Sequence, residues 1–383
     1  MKVYLDNGAT TRLDPRVLAK MRPYLTEKYG NASAINYLGQ AAYLDLMEAK
    51  KRVAKLLGGE PAGVIFTSGA TEANNLIIKG VALANQAKRK KIIISNIEHP
   101  CVRESANELA RAGFQVEFVP ANSEGLVTPE ALRKIIDKET ILVSVMAVNN
   151  EIGTINDIAA LAKIAHQYGA YFHTDAAQAI PYLKIDIKKM GIDLLSLSGH
   201  KFYGPKGVGV AYIKKGIKVK PLMVGGGQEN NLRSGTYNLP GIMGLTFALE
   251  LAYKERAAYL KRVKALRDYF WQRINQEISG LKINGSMTKR IPANLNVQFT
   301  SIEGEAILMD LSHKGICVST GSACSAANLQ ASHVLTAIGL SKNLLNSNIR
   351  FSFGRFNTKA EINYTIKALK ETVKRLRSFS PIK

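Results

Sequence analysis

Short apolar runs alternate along this chain with longer stretches whose apolar positions recur at helical spacing. Apolar runs at 64–67, 91–95, 115–119, 140–148, 170–174 and 192–197 read as buried strands, and 208–213 reads as one more. Helical patterning begins near Pro15, where Asp14 offers an N-cap and the proline takes the first helical position. An amphipathic helix is expected over about 38–57, ending at Gly58-Gly59, and others from Ser68 to about 84, over 102–112, from Thr128, and over 155–168. Strand and helix in regular alternation predict an α/β fold built on a mostly parallel, doubly wound sheet. From Leu239 to about 277 the pattern is helical, with a hinge near Lys254. After it the pattern turns α+β, with strands at 293–299, 315–319 and 349–353 and helices at 303–311, 332–338 and 359–377. The expected organisation is a large α/β domain over 13–254 and a small α+β domain made of 1–12 and 255–383.

Ligands of doubly wound sheets bind beyond the carboxyl ends of the strands. Polar residues stand at those ends in this chain: Thr71, His99, Asn150, Asp175, Gln178, Ser198, His200 and Lys201. Lys201 follows a buried strand and is bordered by Gly199, Gly204, Gly207 and Gly209, so little bulk surrounds it. A desolvated lysine is a nucleophilic amine near neutral pH and forms Schiff bases with carbonyl compounds. Val64-Ile-Phe-Thr67 runs through Ser68-Gly-Ala-Thr-Glu72 into a helix. That arrangement offers backbone N–H groups and hydroxyls to an anion, although an ordinary helix cap reads the same way. The segment from Gly225 to Tyr237 is glycine-rich and carries Arg233, Ser234 and Thr236. Cys324 lies among Ser, Gly and Ala, in Gly321-Ser-Ala-Cys324-Ser-Ala-Ala, where little apolar bulk can bury the thiol. It is the candidate nucleophile. Cys317, in an apolar strand pattern, and Cys101 are expected to be structural.

Composition narrows the setting. The chain has 383 residues, 46% hydrophobic and 21% charged, as a soluble protein with two cores would have. No apolar run approaches the roughly 20 residues that cross a bilayer, and the first residues carry no signal-peptide core. Its three cysteines form neither a CxxC pair nor a zinc spacing, which fits a reducing, cytoplasmic location. Lys and Arg number 52 against 30 Asp and Glu, a formal charge of +22. The basic residues are scattered, densest at 88–91 and 370–377, with no aromatic-interleaved RNA motif beside them. Direct nucleic-acid binding is therefore not expected, while attraction to an acidic partner stays open.

Taken together these motifs resemble the pyridoxal phosphate (PLP)-dependent cysteine desulfurases of the NifS/IscS type, fold-type I enzymes related to class V aminotransferases. The likeness runs through Tyr4-Leu-Asp-Asn-Gly-Ala-Thr-Thr11, Thr67-Ser-Gly-Ala-Thr-Glu-Ala-Asn-Asn75, Glu98-His-Pro100, Val148-Asn-Asn-Glu-Ile-Gly153, Asp175-Ala-Ala-Gln178, Ser198-Gly-His-Lys201, Arg233-Ser-Gly-Thr236, Gly321-Ser-Ala-Cys324 and Ile349-Arg-Phe-Ser352. The compact segment around Cys324 is similar to the IscS-like group. The resemblance implies a seven-stranded, mostly parallel sheet between helices, plus a small domain carrying the cysteine loop. It implies that Lys201 holds PLP as a Schiff base and acts as base at the substrate's Cα. His99 would stack on the ring, Asp175 pair with its nitrogen and Gln178 bond its phenolic oxygen. Ala70, Thr71, Ser198 and His200 would hold the phosphate, and Thr236 would reach the phosphate of a second subunit, hence a homodimer. Arg350 would clamp the substrate carboxylate, with Asn150 nearby. Cys324 would take sulfur from L-cysteine as a persulfide, releasing alanine, and pass it to an iron–sulfur scaffold or a tRNA-thiolation protein. No metal is expected in the PLP site, although Cys324 could contact an iron–sulfur cluster during transfer. Selenocysteine lyase is the alternative enzyme, and a weakly active sulfur-relay or tRNA-associated scaffold the alternative outside catalysis. Departures from the family pattern fall at Gly30-Asn-Ala-Ser-Ala-Ile-Asn36, which lacks the usual proline and histidine, at Glu229-Asn-Asn231, and at the short C-terminus.

Overall fold

The computed structural model describes residues 1–320 and 332–379. In chain order come β1 (Val3–Tyr4), α1 (Pro15–Thr26), α2 (Tyr37–Leu57), β2 (Val64–Thr67), α3 (Ala70–Asn85), β3 (Lys91–Ser95), α4 (Pro100–Arg111), β4 (Gln115–Val119) and α5 (Pro129–Arg133). They are followed by β5 (Thr140–Ser144), α6 (Ile158–Gln167), β6 (Tyr171–Asp175), β7 (Leu194–Ser198), β8 (Gly209–Ile213), α7 (Leu239–Lys254) and α8 (Arg256–Glu277). The last part holds β9 (Leu281–Ile283), β10 (Asn294–Phe299), α9 (Gly304–His313), β11 (Ile316–Cys317), α10 (His333–Ala337), β12 (Asn348–Ser352) and α11 (Lys359–Phe379).

Seven strands form the central sheet in the order β2-β8-β7-β6-β5-β3-β4. β8 alone runs against its neighbours, antiparallel to both β2 and β7. Every residue of β2, β3, β5, β7 and β8 is buried, as befits strands covered by helices on both faces. β4, which closes one edge, is the most exposed, at Gln115 and Phe118. Two apolar clusters flank the sheet, one centred on residues such as Leu46, Phe172 and Leu245, the other on Ile77, Ile92 and Leu109. A third core packs Phe270, Phe351, Phe353 and Leu369 around an antiparallel sheet, β12-β10-β9, and also takes in Val3, Leu5 and Tyr203. β1 pairs in parallel with β11, so the N-terminal segment lies against elements that follow it by some 300 residues.

The element boundaries follow local chemistry. The Asp14 side chain accepts the Arg16 N–H and starts α1, and Gly58, at φ +68, ends α2 in the left-handed region that suits glycine. The strand expected over 140–148 ends at Ser144. Beyond it Asn149 accepts the N–H groups of Glu151 and Ile152 and turns the chain. The helix expected from 155 begins at Ile158, because Asn156 is spent on Val127 and Met146 and Asp157 supplies the cap. The strand expected over 315–319 is two residues long, and there Cys317 is exposed rather than part of a core. β9 has no clear signature, being three residues that are not fully buried.

Members of both basic clusters are engaged in the fold. Lys91 is buried between Glu117 and Asp137, and Arg89 donates to the carbonyls of Thr140 and Gly169. Lys370 pairs with Glu277, and Arg375 with Asp310. No helix among the described residues is long and apolar enough to cross a membrane.

Candidate active site

A cavity of about 430 Å³ opens beyond the carboxyl ends of the central strands. Ala70, Thr71, His99, Asn150, Asp175, Gln178, Ser198, His200 and Lys201 all line it. Nine residues singled out in sequence from five separate strand ends therefore share one chamber.

One end of the chamber is built for an anion. The start of the 16-residue helix α3 faces it, and the first turn of a helix has N–H groups without intrahelical partners. The backbones of β2 and β8 come very close here: a Cβ on Gly209 would lie 2.6 Å from the Cα of Gly69. Ser198 and His200 border the same end. Burial, with help from Lys201 and Lys206, pushes the His200 imidazole down to about 4, so it is neutral at physiological pH, and its Nδ1 lies 3.0 Å from the Thr10 hydroxyl. Glu72 is turned away from this role. Its carboxylate accepts the Ser68 N–H and pairs with Arg233. Burial opposes its charge, but these two donors hold it below the usual carboxylate range.

The middle of the chamber combines a carboxylate with an imidazole. Asp175 ends β6, is 5% exposed, and accepts hydrogen bonds from the Ala177 N–H and the Asn74 amide, both at 2.8 Å. His99 caps α4: its Nδ1 accepts the Cys101 N–H at 3.2 Å, which leaves the ring proton on Nε2. Burial lowers its pKa, Lys201 lowers it further and Asp175 works the other way, and the imidazole is neutral. Cys101, beside it, is a half-buried thiol in the cavity wall, pushed up to about 12 by burial, with Asp175 adding to the effect. The thiol is therefore protonated at neutral pH.

Lys201 sits in the turn after β7, and its Nζ donates to the carbonyls of Gly8 and Ala9, both at 2.8 Å. Gln178 donates to the same Gly8 carbonyl at 2.7 Å. The residue after next, Tyr203, has φ +68, an uncommon conformation for a bulky side chain. It is held there by the Thr11 hydroxyl, which accepts the Tyr203 N–H at 2.7 Å. Arg350 does not line the cavity wall itself. It lies at 2% exposure behind Asn150, donating to the Asn150 carbonyl at 2.9 Å and to Asp6 at 2.7 Å. Its Nε finds no acceptor among the described residues. A Cβ on Gly8 would meet Ser352 Oγ at 2.8 Å and the Arg350 guanidinium at 3.5 Å, so the N-terminal segment passes close between the lysine and the arginine.

Besides Arg350, two expected residues are not among those that line this chamber. Thr236 is exposed and lines no part of it, although its segment runs alongside at Gly207 and Ser68. Cys324 lies outside the described residues; both ends of its segment are placed, Ser319 by backbone pairing with Arg350 and Ser332 by a hydrogen bond to Glu151. Asn36, where the family pattern has histidine, caps α2 by accepting the Gly39 N–H and is also absent from the cavity lining. Sequence reasoning did not single out Gly8, Asn74 or Cys101 as neighbours of the site. Gly8 and Asn74 fall inside the motifs quoted above, and that was their only signal.

The donor set fits pyridoxal phosphate. An anion-binding helix start, a carboxylate for a ring nitrogen, a neutral flat imidazole and an amine share one cavity of suitable size. No group of side chains among the described residues has the makings of a metal site.

The aminotransferase class-V family model matches residues 3–365. A cysteine desulfurase IscS of Dictyoglomus turgidum is 47% identical over 382 residues, which is 100% of this chain and 97% of the relative. A solved NifS-like protein superposes with a TM-score of 0.93 at 39% identity, covering 98% of this chain and all of its own. A solved structure titled SspA in complex with cysteine covers 93% of this chain and all of its own, with a TM-score of 0.83 and 34% identity.

Proposed function

The chain belongs to the aminotransferase class-V family, and from that membership we propose that it is a PLP-dependent cysteine desulfurase. The reaction is L-cysteine plus the Cys324 thiol giving L-alanine plus a Cys324 persulfide. The substrate C–S bond breaks, an S–S bond to Cys324 forms, and a proton replaces sulfur on Cβ.

The observation that carries this reading is the shared cavity of Lys201, Asp175 and His99, with Arg350 directly behind Asn150. Bound PLP supplies an electron sink for the substrate's Cα. The N-terminus of α3, with Ser198 and His200, anchors the phosphate. Asp175 pairs with the ring nitrogen, Gln178 faces the phenolic oxygen, and neutral His99 covers the ring. Arg350 takes the substrate carboxylate, which guanidinium geometry suits, and its unspent Nε is one donor for it. Lys201 Nζ moves the proton at Cα. The Cys324 thiolate then attacks the substrate sulfur.

The chain acts as a homodimer. Ile35 is 92% and Tyr37 80% exposed, and Leu18, Leu25, Tyr29, Tyr43 and Leu44 join them on α1, α2 and the loop between, an apolar face that a second copy would cover. Thr236 serves the partner's phosphate site, which accounts for its absence from its own. The setting is cytoplasmic, and the boundary between a large domain (13–254) and a small one (1–12 with 255–383) falls at the α7–α8 junction. The sulfur acceptor is an iron–sulfur scaffold or another acceptor protein.

Turnover tests the reading. Holoenzyme given L-cysteine with a thiol reductant should form alanine and sulfide in equal amounts. Alanine from L-selenocysteine alone would replace desulfurase by selenocysteine lyase, and a PLP-loaded protein yielding alanine from neither would overturn the reading.

A further inference from the structure

Asn74 is the fully buried member of a polar set next to the cavity, and the chemistry above gives it no task. It lies on α3, four residues after Ala70 and three after Thr71, and so on the face of the helix that begins at the anion site. Its Nδ2 donates to Asp175 Oδ2 at 2.8 Å and to the Cys101 sulfur at 3.1 Å. Its Oδ1 accepts the Ser196 hydroxyl at 2.5 Å. Ser196 is on β7, fully buried, beside Asp175 in the sheet register. The amide cannot be turned round, because that would set its oxygen against a carboxylate oxygen. Ser196 thus fixes which way Asn74 faces, and Asn74 fixes Asp175.

We propose that Asn74 is a positioning residue, which locks the Asp175 carboxylate in the orientation that receives the cofactor's ring nitrogen and ties it through α3 to the phosphate anchor. The proposal rests on the PLP reading. Asp175 also accepts the Ala177 N–H, on its other oxygen. Without Asn74 the Oδ2 side of a carboxylate that is only 5% exposed loses that donor, and a buried acceptor stripped of its donor rotates or recruits another partner. Because the same helix carries the phosphate cradle, the distance between anion site and carboxylate is set by one rigid element.

The test uses Asn74→Ala, Asn74→Asp and Ser196→Ala in the full chain. PLP affinity is measured by titrating the apo protein, and the pH at which the bound cofactor's visible absorption titrates is recorded. Charged and titratable groups facing Asp175 are His99, Lys201, Cys101 and Glu98, and none of them is altered. Asn74→Ala should weaken PLP binding about tenfold, the loss expected for a hydrogen bond to a charged group, and move the absorption titration to higher pH. Asn74→Asp, which opposes two carboxylates, should weaken it further. Ser196→Ala should shift both readouts in the same direction by less, and it carries the test if the Asn74 variants do not fold. Wild-type affinity and an unmoved absorption titration in folded Asn74→Ala, or in Ser196→Ala where the former fails to fold, would overturn the proposal. Failure of the wild-type chain to bind PLP at all would instead overturn the reading on which it rests.

Discussion

Glu98 shows how burial sets a residue's behaviour. Its side chain is fully buried next to His99, Oε1 accepts from Ser95 and the Met146 N–H, and Oε2 has no partner among the described residues. Burial lifts its pKa to about 8, with Asp175 adding and the two donors opposing. An acid raised in the folded state stabilises most at low pH, below its unfolded value near 4.5. That contribution is lost as pH rises through about 8. Glu98→Gln should therefore match the parent in denaturant unfolding at pH 5 and exceed it at pH 9. A parent whose stability does not fall relative to the variant across that window would contradict the burial argument. At this scale the sequence was informative where a reactive head group followed a strand, as at Lys201, His99 and Asp175. Asn74 could not be read so, because its partner is 101 residues away and asparagine in a helix has many ordinary uses. Asn36 changed meaning: an apparent loss of a pocket residue is, in the fold, a helix cap.

Among the elements, the glycine-rich segment at 225–238 is anchored by a buried ion pair, Lys50–Glu229, and by Arg233 on Glu72. Glu229, Asn230 and Asn231 are consecutive left-handed residues, at φ 51, 57 and 62, a costly run for side chains other than glycine. Glu229 is anchored between Lys50 of α2 and the Phe66 N–H of β2, and both charges are buried. Lys50→Met leaves that carboxylate unpaired, and removing one partner of a buried pair costs about 3 kcal/mol or more. A clear drop in melting temperature is expected, with loss of the order of 225–238 visible as faster amide exchange. Unchanged stability would mean that the pair breaks even against its desolvation. In sequence this segment shows its glycines and the Arg233-Ser-Gly-Thr236 motif but not its anchor, because Lys50 lies 179 positions from Glu229. The central strands were legible for the opposite reason. Their apolar runs are continuous because both faces are covered, and periodicity reports that directly. Boundaries were less legible wherever a side chain such as Asn149 or Asn156 takes over the backbone's hydrogen bonds.

At the scale of the molecule, the N-terminal segment ties the layers together. Val3 and Leu5 enter the third core, Asp6 meets Arg350, Gly8 and Ala9 meet Lys201, and Thr10 meets His200. Asp14 continues the line, bonded to Arg16 and Arg355 and held down to about 2 by Arg16 first, with Arg355 adding to it. The exposed apolar face on α1 and α2 predicts a particle of twice the 41.8 kDa chain mass in solution, and a monomer by light scattering would contradict the shared-site arrangement. The central claim concerns sulfur on Cys324, and it is tested by mapping persulfide across Cys101, Cys317 and Cys324 by mass spectrometry after a short exposure of the holoenzyme to L-cysteine. The account predicts persulfide on Cys324, with one alanine released per persulfide and neither product in Cys324→Ser. Persulfide confined to exposed Cys317, or alanine formed undiminished by Cys324→Ser, would contradict it.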